Sequence, residues 1–147
     1  MTNGNPAYSQ RSVVDAGRLW AGGLASALVA ALIAAVGVLI ATGLFDVEVI
    51  APGGLTDTEA VNYAIAAAVA ALLATVLIQL LIAAVPRPFA YFHWIMGLAI
   101  VAVTLLPFAS SQELSTKVAT ALINLVTGVA IASLTSGTAA RLARQAR

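Results

Sequence analysis

Gln79, His93, Thr120 and Asn124 are polar side chains set in otherwise apolar stretches, and they are where chemistry would have to reside. A carboxamide both donates and accepts hydrogen bonds, so Asn124 could hold a solute or an ion. Its structural alternative is an interhelical hydrogen bond of about 0.6–2 kcal/mol, and that role is the expectation. Gln79 has the same two readings and the same expectation. His93 is the single histidine. A pH switch or proton relay needs a partner carboxylate, but the neighbours of His93 are Tyr91, Phe92 and Trp94, with Arg87 close by. An interfacial anchor or hydrogen-bonding role is expected instead. With no cysteine and no second histidine, a zinc-type site cannot be completed. Asp46, Glu48, Asp57 and Glu59 lack the spacing of a calcium-binding loop. No catalytic residue, cofactor or metal is expected.

The elements that position these residues follow from charge. Between Arg18 and Asp46, Glu59 and Arg87, Arg87 and Glu113, and Lys117 and Arg141, the chain carries no formal charge. Each interval exceeds the ~20 residues needed to cross a bilayer core. Four crossings put Arg11, Arg18, Arg87, Arg141, Arg144 and Arg147 on one face. Lys117 falls on the other, together with Asp46, Glu48, Asp57, Glu59 and Glu113. The positive-inside rule makes the arginine face cytoplasmic, with both termini inside. Arg18, Arg87, Arg141 and Arg144 are then expected to meet lipid headgroups, at about 1 kcal/mol each for the basic tail. The expected class is an all-α membrane protein, a four-transmembrane-helix bundle in the cell (inner) membrane.

Composition excludes other classes. With 61% hydrophobic and 9% charged residues, the 147-residue chain has no room for a soluble domain beside four spans. No basic stripe lies on a water-soluble fold, so nucleic acid is not an expected partner. The run Leu19 to Phe45 is far longer than a signal-peptide core and is read as a retained helix. Ion-coupled transporters usually keep an ionisable group within the membrane, and none lies within these spans. Small multidrug-resistance exporters use a glutamate in their first helix, where this chain has no charge between Leu19 and Phe45.

Local signals set the boundaries. A disordered cytoplasmic tail is expected over residues 1–14, a transmembrane domain over 15–140 and a basic cytoplasmic tail over 141–147. The helices are expected at about 15–45, 57–85, 88–108 and 111–137. Asp46-Val47-Glu48-Val49-Ile50 reads as an extended segment, and Ala51-Pro52-Gly53-Gly54 as a turn. Thr56-Asp57-Thr58-Glu59 and Ser110-Ser111-Gln112-Glu113 fit capping boxes. Pro86-Arg87-Pro88 stops one helix and starts the next, and Pro107 stands near the end of the third. Trp20, Phe89, Tyr91, Phe92 and Trp94 are assigned to the inner interface; Phe45, Tyr63 and Phe108 are assigned to the outer one.

Small residues select packing faces in lipid, because they let backbones approach. The fourth helix carries Thr116, Thr120, Asn124, Gly128, Ala132 and Ser136 at every fourth position. The first offers Gly22, Ser26, Ala30, Ala34, Gly37 and Ala41, and the second Ala67, Ala71, Thr75, Gln79 and Ala83. The third is weaker, with His93, Gly97 and Thr104.

Arg18-Leu19-Trp20-Ala21-Gly22-Gly23-Leu24, Pro86-Arg87-Pro88, Trp94-Ile95, Leu106-Pro107-Phe108 and Lys117-Val118-Ala119-Thr120-Ala121-Leu122-Ile123-Asn124-Leu125 form a familiar order. With these motifs the chain resembles an uncharacterised family of small four-helix actinobacterial membrane proteins, a domain of unknown function. The resemblance covers about Arg18 to Gly137 and implies an inner-membrane protein of a Gram-positive bacterium; it supplies no catalytic residues.

The leading functional expectation is a structural or accessory bundle without catalytic activity. Its partners would be the lipid bilayer and either copies of itself, as a homo-oligomer, or a larger membrane complex. The alternative is an oligomeric passive channel or small-solute transporter, with Gln79, His93, Thr120 and Asn124 as candidate packing or pore-lining residues.

Overall fold

The computed structural model describes residues 16–145. It contains α1 (Ala16–Leu44), α2 (Glu59–Ala84), α3 (Pro88–Leu105), a 3₁₀ turn (Leu106–Ala109) and α4 (Leu114–Gln145). All four helices are long and apolar enough to cross a membrane. At 18 residues, α3 rises only about 27 Å, slightly less than a ~30 Å hydrocarbon core, and the 3₁₀ turn supplies the remainder. With 32 residues, α4 rises about 48 Å and exceeds that thickness.

Successive helices run antiparallel. α1 packs against α2 and α4, α3 packs against α2 and α4, and α1 and α3 occupy opposite corners. The α1–α2 pair is the tightest part of the bundle because both helices present small residues. Ser26, Ala30, Ala34 and Ala41 of α1 are buried, as are Ala67, Ala71 and Thr75 of α2. A Cβ added to Gly23 would stand only 2.8 Å from Thr75 Cγ2, so glycine is what lets these backbones approach. Leu24, Leu28, Leu32, Leu73 and Leu98 instead face outward. Hydrophobicity therefore does not distinguish the core of this bundle, whereas side-chain size does.

α3 is the peripheral member, and Phe92 is its one buried side chain among the described residues. Phe92 and Tyr63, assigned to the inner and outer interfaces, lie near the starts of α3 and α2 but are buried within the bundle. Trp20, Tyr91, Trp94, Phe45 and Phe108 are exposed near the helix ends.

Several expected boundaries change. The fourth helix begins at Leu114 rather than near Ser111, and it continues past Gly137 to Gln145. Gly137 has open space around it and stays helical, while the Ala-Ala-Arg-Leu-Ala-Arg run after Thr138 consists of good helix formers. Most of the expected 141–147 tail is thus the last turns of α4. The expected 1–14 tail lies outside the described residues.

Neither capping box forms. Thr58 is the N-cap of α2 but makes no side-chain capping bond. The junction is instead fastened by Asn62. Its Oδ1 accepts from the Thr56 N–H at 2.9 Å and from the Thr56 hydroxyl at 3.0 Å. Its Nδ2 donates to the Thr56 carbonyl at 2.8 Å. Ser110 likewise turns back, donating to the Pro107 carbonyl at 2.7 Å.

The segment after α1 forms no strand; it folds back over the bundle end. Asp46 takes a left-handed φ of 52°, a conformation Asp tolerates better than most residues, and the Val47 N–H returns to the Ala41 carbonyl at 3.0 Å. Val49 is buried beyond this reversal. The expected glycine turn is present, with φ of 99° at Gly53 and 59° at Gly54.

Candidate functional site: a polar junction of three helices

Asn124 is held by two different helices. Its Nδ2 donates to the Val103 carbonyl of α3 at 3.0 Å, and its Oδ1 accepts from the Tyr63 hydroxyl of α2 at 3.3 Å. The first bond has a covalent cause. In a continuous helix the Val103 carbonyl would accept from the N–H four residues later, but that residue is Pro107, which has none. The proline frees an acceptor, and the carboxamide of α4 takes it. An unpaired carbonyl in hydrocarbon costs several kcal/mol, so this pairing stabilises the end of α3 where the 3₁₀ turn begins.

Thr120, one turn away from Asn124 on α4, is buried, and its Oγ1 accepts from the Ile50 N–H at 3.1 Å. This bond fixes the returning α1–α2 segment to the bundle. Tyr63, Thr120 and Asn124, all from the apolar stretches, thereby connect three helices and a loop at one end of the fold.

A cavity of about 310 Å³ lies at this end, with Ile50, Pro52, Tyr63, Thr120, Asn124 and Ser110 among its lining residues. A second, of about 180 Å³, extends deeper between α2, α3 and α4 and is walled by Ala66, Ala70, Ile100, Thr127 and Ile131. The two share Pro52, Tyr63, Val103 and Asn124. No charged side chain lines either one.

The other anticipated residues do not join this junction. Gln79 is half-buried on α2, 16 residues beyond Tyr63, which places it about 24 Å along the axis. His93 is exposed on α3; its Nδ1 lies 2.6 Å from the Phe89 carbonyl, and its ring meets Phe92 edge-on. Arg87, the N-cap of α3, is exposed, as is Arg141. The side chains of Arg18 and Arg144 lie outside the described part of the structure. Among the described residues no group of His, Asp or Glu is gathered as a metal site would require.

The fourth-helix stripe is corrected over its second half. Thr116 and Thr120 are buried as expected, but burial then passes to Thr127, Ile131, Thr135 and Ala139. A four-residue step advances 400° around a helix, so a strict stripe drifts about 40° at each repeat. Ala132 and Ser136 have rotated towards the edge of the face and are half-buried. Tyr63 and Asn62 were the residues that sequence reasoning missed. For Tyr63 a signal existed: the second-helix stripe Ala67, Ala71, Thr75, taken one step back, lands on it.

No curated protein matches this chain, and no solved structure does. A family match covers residues 14–141, nearly the whole sequence, with α1, α2, α3 and most of α4. The chain belongs to the family of unknown function DUF6069.

Proposed function

We propose that this is a non-enzymatic accessory protein of the cell membrane, a small-residue bundle that packs with copies of itself or with a larger membrane complex. The observation that carries this reading is the engagement of Asn124. The most polar group at the junction satisfies a carbonyl freed by Pro107 and a tyrosine hydroxyl, so both of the bonds it makes tie helices together. Its separation from Gln79, about 24 Å along the bundle, argues against one continuous polar path within a single chain. The outward-facing leucines and the lightly packed α3 leave a broad apolar surface for lipid or for partner helices.

The orientation proposed is both termini cytoplasmic, on the strength of the arginines at one end and the acidic residues at the other. Residence in an actinobacterial inner membrane is proposed on the sequence resemblance.

Native-detergent co-purification with mass spectrometry tests the accessory role, and proteoliposome flux tests the rival. A stoichiometric membrane partner, or a homo-oligomer without flux above empty liposomes, is the expected result. Reproducible wild-type flux that Asn124→Asp alters in a folded protein would make this a channel or transporter, because a carboxylate in a low-dielectric path acts strongly on cations.

A further inference from the structure

The junction at Asn124 retains hydrogen-bonding capacity that the fold does not use. One amide N–H and one carbonyl lone pair of Asn124 are engaged, which leaves a second of each. Tyr63 donates its hydroxyl proton to Asn124 and is also hydrogen-bonded to the Thr120 side chain, so it holds the carboxamide in place. Asn124 and Tyr63 line both cavities. Thr127 is a second group with unused capacity. It is 7% exposed, it lines the deeper cavity, and its Oγ1 has no hydrogen-bond partner. A buried hydroxyl in a helix ordinarily bonds the carbonyl one turn back, as Thr75 does to Ala71 at 2.9 Å. Thr127 does not.

The space beside these groups has a direction. Tyr63, Val103 and Asn124 form one level. Ala70, Met96 and Ile131 lie seven residues deeper on their respective helices, about 10 Å along the axis. Between the levels the wall is aliphatic apart from the Thr127 hydroxyl, about one turn below Asn124. Ala70 and Ala99 line the deeper cavity yet are exposed on the bundle surface, so this cavity opens sideways, where α2 and α3 diverge. Its ~180 Å³ compares with the roughly 150 Å³ of an apolar cavity that admits benzene. The slot is therefore polar at the Asn124 end and one turn below it at Thr127, apolar beyond, uncharged throughout and accessible from the side that lipid would occupy.

We propose that this slot binds one neutral single-chain amphiphile from the bilayer. Its hydroxyl or carbonyl is held by Asn124, which Tyr63 positions, and its alkyl chain lies along Ala70, Ile100 and Ile131. Neutrality follows from the lining: an anionic headgroup would meet no cation there, and a cationic one no carboxylate. An alkane would fill the slot but leave the spare amide and hydroxyl groups unused.

The test uses the full chain in nanodiscs with two photoactivatable probes, each bearing a diazirine in its alkyl chain: a monoacylglycerol and a plain alkane. The monoacylglycerol should label wild-type protein on peptides containing Ile100 or Ile131. Ala70→Leu, which fills the mouth of the slot from an exposed position, should reduce that labelling about tenfold. Val101→Leu, on the outward side of α3, should leave it unchanged. Tyr63→Phe keeps the ring and removes the hydroxyl; it should lower monoacylglycerol labelling about threefold while leaving alkane labelling as it was. Equal labelling in wild type and Ala70→Leu would overturn the proposal, as would an equal response of the two probes to Tyr63→Phe. Efficient disulfide pairing between two Ala70→Cys chains would also overturn it, by giving the slot to a second copy.

Discussion

Pro107 and Asn124 act on the same acceptor: the proline withholds the backbone donor that the Val103 carbonyl would have in a continuous helix, and the asparagine supplies one at 3.0 Å. The two residues lie on different elements and are 17 positions apart, yet their effects are complementary. Asn124→Ala alone should lower stability by about 1 kcal/mol, within the range for interhelical hydrogen bonds in membranes. In a Pro107→Ala background the restored N–H can bond Val103, and the same asparagine change should cost less than half as much. A double-mutant cycle, read by unfolding in detergent, measures the coupling. Additive effects would mean that Asn124 stabilises the bundle without serving this carbonyl.

Gly23→Ala tests the closest helix approach. The new methyl group would meet Thr75 Cγ2 at 2.8 Å, and Thr75 is restrained by its bond to Ala71. Overpacking of this kind costs about 1–3 kcal/mol. Thr75→Ser removes the offending methyl group, so the Gly23→Ala/Thr75→Ser pair should recover part of the loss. A lower melting temperature for the single variant and partial rescue in the pair are expected.

Gly128→Leu should separate α3 from α4. A Cβ at Gly128 already lies 2.8 Å from Ile100 Cγ1, and leucine extends well beyond it. Leu125→Ile changes an exposed side chain on the same helix and should be tolerated. If detergent-solubilised Gly128→Leu melts at the same temperature as Leu125→Ile, the contact of α4 with Ile100 is not a packing constraint.

Asn62→Ala should loosen the start of α2, because it leaves the N–H and carbonyl of Thr56 without the carboxamide that pairs both. The loss should be about 1–3 kcal/mol if those groups find no substitute, and less if water reaches them. Amide exchange at Thr56 reads the effect directly and should accelerate in the variant. Unchanged protection would show that the loop is held chiefly by the Ile50–Thr120 bond.

Much of this architecture was legible in the sequence because lipid-spanning segments exclude charge. The charge-free intervals preceding Asp46, Arg87, Glu113 and Arg141 each mark one helix, although α1, α2 and α4 run past theirs to take in Arg18, Glu59, and Lys117 with Arg141 and Arg144. The small residues of α1 identified its buried face for the same reason that they pack there. What could not be read locally depended on chain reversals. The Asn62–Thr56 pairing requires the loop to curl towards α2, and the Ile50–Thr120 bond joins positions 70 residues apart. Asn124 was recognisable as an interhelical donor, but its acceptor depended on which carbonyl Pro107 would leave free. The end of α4 was misread because Gly137 resembled a stop signal, although no reversal follows it.

The membrane orientation has its own test, because the native sequence contains no cysteine. Single cysteines at Ser9, Gly53, Ser111 and Ala146 can be challenged on intact cells with an impermeant maleimide. Gly53 lies at the exposed α1–α2 turn and Ser111 in the exposed α3–α4 connection, so both should react if the acidic end faces outward. Ser9 and Ala146, which lie outside the described residues, should react only after the cells are opened. The physical basis is the arginine bias: Arg87 and Arg141 share the end opposite Glu48, Glu59 and Glu113, and basic residues resist translocation more strongly than acidic ones assist it. Labelling at Ser9 or Ala146 without labelling at Gly53 would invert the orientation. The polar junction at Asn124 would then lie towards the cytoplasmic leaflet, and an amphiphile in its slot would come from that leaflet.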